Sequence, residues 1–434
     1  MESHRQLVHI GVGVVALSLR WLSWPEAAVV AVTAILFNAF VLPALMPSVL
    51  RTSDRTQIWT SGLVLYPTAV LALVLVFHTR LDLAAIAWVI LAAGDGMATL
   101  VGAHVRTGRL PWNQNKSVGG LLAFLIAGSL AAVGTVWWFA PATPAVWAIG
   151  CAVLAAVVAG FAETIPIRLD DNITVPVTAA GVLWGTTLVD PAVFSASLDA
   201  ATWWMLVVNI MVALAGWAAR TVTPAGAITG AVIGTAMMVG SGVAGWAVLM
   251  ATFVLASIAT RAGHTRKAAA GIAEERGGRR GPGNAIANTG IAMCAALVGA
   301  GSADPTLPWL ALVAAVATAG SDTVASEVGK AWGRTTLLIT TLRRVPPGTS
   351  GAVSIEGTLA GVVAAALLAA IGAAMGLVSW VAVPIVAAAA TLASLLEGVL
   401  GATLEARGML TNDVVNGVNS AMGAALALWW WTSF

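Results

Sequence analysis

The sequence predicts an all-α polytopic membrane protein, with about fifteen transmembrane helices in two parallel-oriented, similar-looking halves. Three observations predict it. Apolar residues make up 59% of the 434 and charged residues 9%, far below the roughly 25% charge of a soluble domain. Stretches near the roughly 20 apolar residues needed to cross hydrocarbon recur along the chain. A polar motif inside those stretches occurs twice, as Gly94-Asp95-Gly96-Met97-Ala98 with Gly102, and as Ser321-Asp322-Thr323-Val324-Ala325 with Gly329.

The candidate spans run over 7–22, 26–45, 58–78, 82–103, 118–139, 144–164, 173–190, 201–219, 225–240, 243–261, 284–301, 306–330, 350–374, 378–404 and 413–433. Arg261 to Gly283 is the one long polar break. A cleavable leader is not expected, because the first apolar run holds His9 and Arg20 and no small-residue cleavage site follows it. With the N-terminus in the cytoplasm and every span crossing, all basic residues except Arg20 and Arg80 fall on the cytoplasmic side. Those include Arg51, Arg55, Arg106 and Arg168. This asymmetry agrees with the positive-inside rule and puts both motif copies at cytoplasmic helix ends, with the C-terminus opposite. The expected location is a prokaryotic plasma membrane.

The repeat sets a boundary in the linker around Asp190-Pro191 and Asp199, giving domains 1–195 and 196–434. Seven spans precede the boundary and eight follow. The extra span lets both motif sets face one side, as in a parallel repeat and unlike the inverted repeats of many transporters. A net charge of +2 with no basic face outside the site loops argues against nucleic-acid binding. Cys151 and Cys294 lie in apolar segments and are too few for a metal framework. Several of the nineteen tryptophans flank the spans and suit interfacial anchoring.

Carboxylates inside apolar segments are costly, and function is their default reading. The candidate catalytic residues are Asp95 and Glu163 in the first half, and Asp322 and Glu397 in the second. Candidate metal ligands are Asp95, Asp171 and Asn172, then Asp322, Asp413 and Asn416, hard oxygen donors that suit Mg2+. Candidate phosphate-binding residues are Asn115, Lys116, Ser117 and Gly119, then Arg343, Arg344, Gly348, Thr349, Ser350 and Gly351. Helix starts near 118 and 350 are expected to offer free amides to an anion. Carboxylates, metal and an anion cradle are what phosphoryl transfer needs. No Walker A sequence is present. His104 reads as interfacial, Glu327 and Glu356 have no first-half counterparts, and Arg266-Lys267 with Arg276 to Arg280 reads as a solvated basic loop.

Gly94-Asp95-Gly96-Met97-Ala98, Leu110 to Ser117 with Gly119-Gly120, and Glu163 with Asp170-Asp171-Asn172 resemble the phytol kinase and dolichol kinase group. That group is related to phosphatidate cytidylyltransferases. Ser321-Asp322-Thr323 with Glu327-Val328-Gly329-Lys330, Val345 to Ser354, and Asn412 to Asn416 resemble the phytyl-phosphate kinase family, which includes transmembrane protein 19-like proteins. Gln114, Ser321 and Ala352 depart from the usual residues.

Together the resemblances imply a bifunctional, CTP-dependent lipid kinase. The first half would phosphorylate a long-chain isoprenoid alcohol to the monophosphate, and the second would carry that to the diphosphate. Two other readings compete: a transporter built on a parallel repeat, and a CTP-dependent lipid cytidylyltransferase.

Overall fold

The computed structural model describes residues 2–45, 58–105, 107–140, 144–167, 169–200 and 203–433. Arg51, Arg55, Arg106 and Arg168, used above for orientation, lie outside them. The chain divides into two compact units, Met1–Thr187 and Leu188–Phe434.

Every stretch predicted to span is at least partly helical. Among the described residues, however, nine helices are long and apolar enough to cross a membrane, or ten if Asp171–Thr187 and Pro191–Ala200 form one broken span. Gln6–Arg20, Gly62–Val76 and Trp203–Ala218 are apolar but shorter. Asn412–Ser433 is 22 residues long but begins with Asn412, Asp413 and Asn416. The spans predicted at 225–240 and 243–261 form one helical run, Pro224–Arg261, broken at Gly242. There φ is 63° and ψ is −162°, a conformation open to glycine and strained for other residues.

The helix order of the first unit explains where Asp95 lies. Leu81–Val89 continues through a π-helical turn, Ile90–Asp95, into Gly96–His104. Leu83 to Ala92 are all buried, as expected of a segment that is apolar on every side. Val118–Phe139, Ala145–Glu163 and Asp171–Thr187 pack around it. Ala152, Ala155, Ala156 and Ala159 are fully buried and let helix backbones approach closely. Asp95 thus ends the most enclosed segment of its unit.

The second unit uses the same logic with other residues. Thr306–Trp332 is buried continuously from Leu310 to Ser321, and Asp322 follows at once. Around it pack Pro224–Arg261, Pro282–Ala300, Ile355–Ala374, Ala382–Leu400 and Asn412–Ser433.

The expectation of an all-α chain needs one correction, because each unit also has a short antiparallel hairpin. In the first unit β1 (Arg109–Leu110) pairs with β2 (Asn113–Ser117). In the second, β3 (Thr336–Leu338) pairs with β4 (Ala352–Ser354), setting Leu337 against Val353. Each hairpin ends on the serine that caps the next helix.

Candidate carboxylate sites

In the first unit three helix ends bring three carboxylates together. Asp95 closes the π turn, Glu163 closes Ala145–Glu163, and Asp171 opens Asp171–Thr187. One oxygen from each lies within 4.8 Å of the others. Among the described residues no other such group of three acidic, histidine or cysteine side chains occurs. Lys116 reaches into the group from β2. Its Nζ donates to Glu163 Oε1 at 2.5 Å and to Asp171 Oδ2 at 2.9 Å. Burial alone would lower the pKa of this lysine, but Asp171 and Glu163 outweigh it and push the pKa up, so the ammonium stays charged.

The hairpin is held at the right height by the residue after Glu163. Asn113 Nδ2 donates to Thr164 O at 3.0 Å, and Trp112 Nε1 donates to Thr164 Oγ1 at 3.1 Å. These contacts fix where Lys116 starts and were not read from the sequence. Nor was His9, whose Nε2 lies 3.6 Å from Asp95 Oδ2 while its ring packs edge-on against Tyr66. Asp170 Oδ1 accepts from the backbone amide of Asn172 at 2.9 Å and from its Nδ2 at 2.7 Å. Asn172 Oδ1 is buried with no partner among the described residues.

The expected amide cradle of this unit is closed. Ser117 does cap Val118–Phe139, accepting from Gly120 N at 3.1 Å. Gly119 N donates to Thr107 Oγ1 at 2.9 Å, and Val118 N to Gly108 O at 2.9 Å. The first three amides are therefore already satisfied. Asn115 is exposed, with its amide bonded to Asn113 Oδ1 at 3.0 Å, so Lys116 is the phosphate-site candidate that joins the carboxylates.

In the second unit Asp322 and Glu397 line one cavity of about 210 Å³, with Gly348, Thr349, Ser350, Gly351 and Asn416 also on its walls. Lys330 and Glu405 line it as well. Glu405 ends a π-helical turn, Gly401–Glu405, as Asp95 does in the first unit.

Three predicted residues do not reach this cavity. Arg343 and Arg344 are exposed, and their side chains make no hydrogen bond or ion pair among the described residues. The hairpin explains it: the Arg343 carbonyl accepts from Leu338 N at 2.9 Å, which ties the arginines to the outer end of β3. Asp413 is also off the cavity. Its Oδ2 would be 2.3 Å from a Cβ on Gly283, placing the carboxylate at the start of Pro282–Ala300, where the helix dipole favours an anion.

The helix start predicted near 350 lies at Ile355. Its cap is Ser354, whose Oγ accepts from Gly357 N at 3.2 Å. Ala352–Ser354 is held in β4, and Gly351 has φ 76°, so no helix can form earlier. The Gly348–Gly351 loop nevertheless keeps donors available. Among the described residues the amides of Gly348, Ser350 and Gly351 have no acceptor.

The reading of Lys267 as solvated also fails. Lys267 is buried, paired with buried Glu327, and donates to Ala259 O at 3.3 Å and Thr260 O at 2.8 Å. The short helix His264–Ala269 folds back and carries it inward.

Membrane-length apolar helices that hold carboxylates at their ends make this an integral membrane protein of the α-helical class. The chain belongs to the family described as "Integral membrane protein DUF92", whose model matches residues 207–424. It is 45% identical over 224 residues to an uncharacterized membrane protein, sll0875, of Synechocystis sp., covering 51% of this chain and 87% of that one. It is 38% identical over 204 residues to protein VTE6, chloroplastic, of Arabidopsis thaliana, covering 45% and 61%. It is 31% identical over 196 residues to a probable phytol kinase 3, chloroplastic, of Glycine max, covering 41% and 60%. The chain thus spans about three-fifths of the length of these last two relatives. No solved structure matches it.

Proposed function

We propose that the chain is a bifunctional isoprenoid-alcohol kinase. Domain 1–195 would make the monophosphate of phytol or a related prenol, and domain 196–434 would make the diphosphate, with CTP as donor. The observation that carries this is the Asp95, Glu163 and Asp171 group with Lys116 inside it. Likeness to a probable phytol kinase supports the substrate class. The transmembrane protein 19-like character of the second domain rests on its Asp322 and Gly348–Gly351 motifs.

The donor set fits Mg2+: hard oxygens converge, and the orphaned Oδ1 of Asn172 is a further donor near them in sequence. Asp95, Glu163 and Asp171, with Asn172, would hold the ion of the first site; Asp322, Glu397 and Asn416 would serve the second. When bound, the ion neutralises charge on the transferring phosphoryl group. In the reaction the alcohol oxygen bonds to the γ-phosphorus as the bond to the β-phosphate oxygen breaks. CDP leaves, and the hydroxyl proton passes to Asp95 or Glu163. Lys116 steadies phosphate charge when it leaves its carboxylates.

Fifteen crossings, a cytoplasmic N-terminus, both sites in the cytoplasm, and a prokaryotic plasma membrane belong to the same proposal and rest on the charge asymmetry. The test is incubation with CTP labelled at either phosphorus. γ-Label in prenyl lipid supports the kinase. α-Label in lipid would instead indicate cytidylyl transfer, and no label in lipid would favour transport.

A further inference from the structure

We propose that Lys330 is the anion-binding cation of the second unit's cavity, and that Glu274 competes with the incoming anion for it. Lys330 lines the cavity beside Asp322 and the Gly348–Gly351 loop. Its Nζ sits 2.9 Å from Glu274 Oε1 and 3.4 Å from Glu327 Oε1. The two carboxylates are held very differently. Glu327 is buried, and its other oxygen pairs with buried Lys267, whose ammonium also takes two backbone carbonyls. Moving either partner of that inner pair would leave a buried charge uncompensated. Glu274 lies on the loop between His264–Ala269 and Pro282–Ala300, with its side chain 48% exposed.

The inner pair therefore positions Lys330, and the outer carboxylate is exchangeable. A phosphate carries more charge than a carboxylate and would meet Ser350 and Gly351 on the same cavity wall, whose amides have no acceptor among the described residues. It would displace Glu274 from Lys330. In the ground state the four groups Lys267, Glu327, Lys330 and Glu274 balance one another. The proposal depends on the kinase reading for the identity of the natural anion, whether nucleotide or prenyl monophosphate, and not for the binding itself.

The test is calorimetric titration of the detergent-purified full chain with inorganic pyrophosphate. Glu274→Gln removes the competitor and should tighten binding about tenfold. Lys330→Met should weaken it at least tenfold, and Lys330→Arg should recover part of the loss. A purely structural role for these residues cannot produce opposite signs from the two partners of one ion pair. Unchanged or weaker binding in Glu274→Gln overturns the proposal, and that variant, on an exposed loop, remains decisive if Lys330→Met does not fold. Displacement of pyrophosphate by CTP or by a short prenyl monophosphate identifies which source the site serves. Opposite-sign shifts without any transfer of label to lipid would refute the kinase reading and leave this inference standing.

Discussion

The ammonium of Lys116 lies 2.5 Å from Glu163 Oε1 and 2.9 Å from Asp171 Oδ2, so a lysine stands among the oxygens offered to a divalent ion. A magnesium ion bound there would compete with Lys116 for the same donors. Lys116→Met should leave three crowded carboxylates and destabilise the unit by about 1–3 kcal/mol, less than a fully buried pair because the lysine side chain is partly exposed. Magnesium should restore most of that loss and should stabilise the variant more than the parent. Thermal melts with and without magnesium check it; equal magnesium shifts in both proteins would count against a shared site.

The two carboxylate sets predict separable steps. Asp95→Asn should abolish phosphorylation of the alcohol and spare conversion of added monophosphate. Asp322→Asn should let the monophosphate accumulate. Product analysis by thin-layer chromatography decides it, and loss of both steps from either change in folded protein would mean a shared site.

Metal removal gives a third test. EDTA should stop both steps and magnesium should restore them, because the donors are carboxylate and amide oxygens without a cysteine or histidine cluster. Full activity after thorough chelation would eliminate the metal role.

Arg343 and Arg344 are exposed and do not line the cavity, so Lys at both positions should leave the second step unchanged within about 0.5 kcal/mol, the usual span for surface substitutions. A tenfold fall in kcat/KM for the monophosphate would show that these arginines reach the substrate after all.

Close helix contact gives a stability prediction. A Cβ on Gly357 would lie 2.5 Å from the Ala325 carbonyl oxygen, whereas one on Gly230 would meet open space. Gly357→Ala should cost about 1–3 kcal/mol through overpacking. Gly230→Ala should be neutral or better, since it adds helix propensity. Melting temperatures of the two variants in one detergent compare them directly.

The spacing that brings Asp95 near Gly102, and Asp322 near Gly329, was legible because seven residues make two helical turns and put both on one face. In both units a Cβ on that glycine would crowd the serine capping a later helix, at 3.3 Å from Ser117 Oγ for Gly102 and 3.0 Å from Ser354 Oγ for Gly329. The second-unit helix start was expected near 350, before Ile355, because Ser350-Gly351 and Ser354 with Gly357 both set a serine near a glycine. Pairing of β4 with Thr336–Leu338 breaks that tie, and strands of three mixed residues leave no periodicity to see. Lys267 was misread because a lysine in a charged run resembles a solvated face; its partner Glu327 is 60 residues away. Glu405 escaped because its place beside Asp322 comes from sharing one cavity, which no local pattern encodes, and Lys330 was read only as the end of the motif that follows Asp322.

The break at Gly242 carries a topological weight beyond its size. An unbroken helix over Pro224–Arg261 would be about 57 Å long at 1.5 Å per residue, nearly twice the hydrocarbon thickness. One glycine torsion lets the run be two passages of bilayer length instead of a single overlong rod. In the fifteen-crossing arrangement, the parity of every downstream segment depends on that one rotation. In that proposed arrangement, a substitution that straightened it would carry Asp322 and Glu397 to the opposite membrane face while leaving their local chemistry intact.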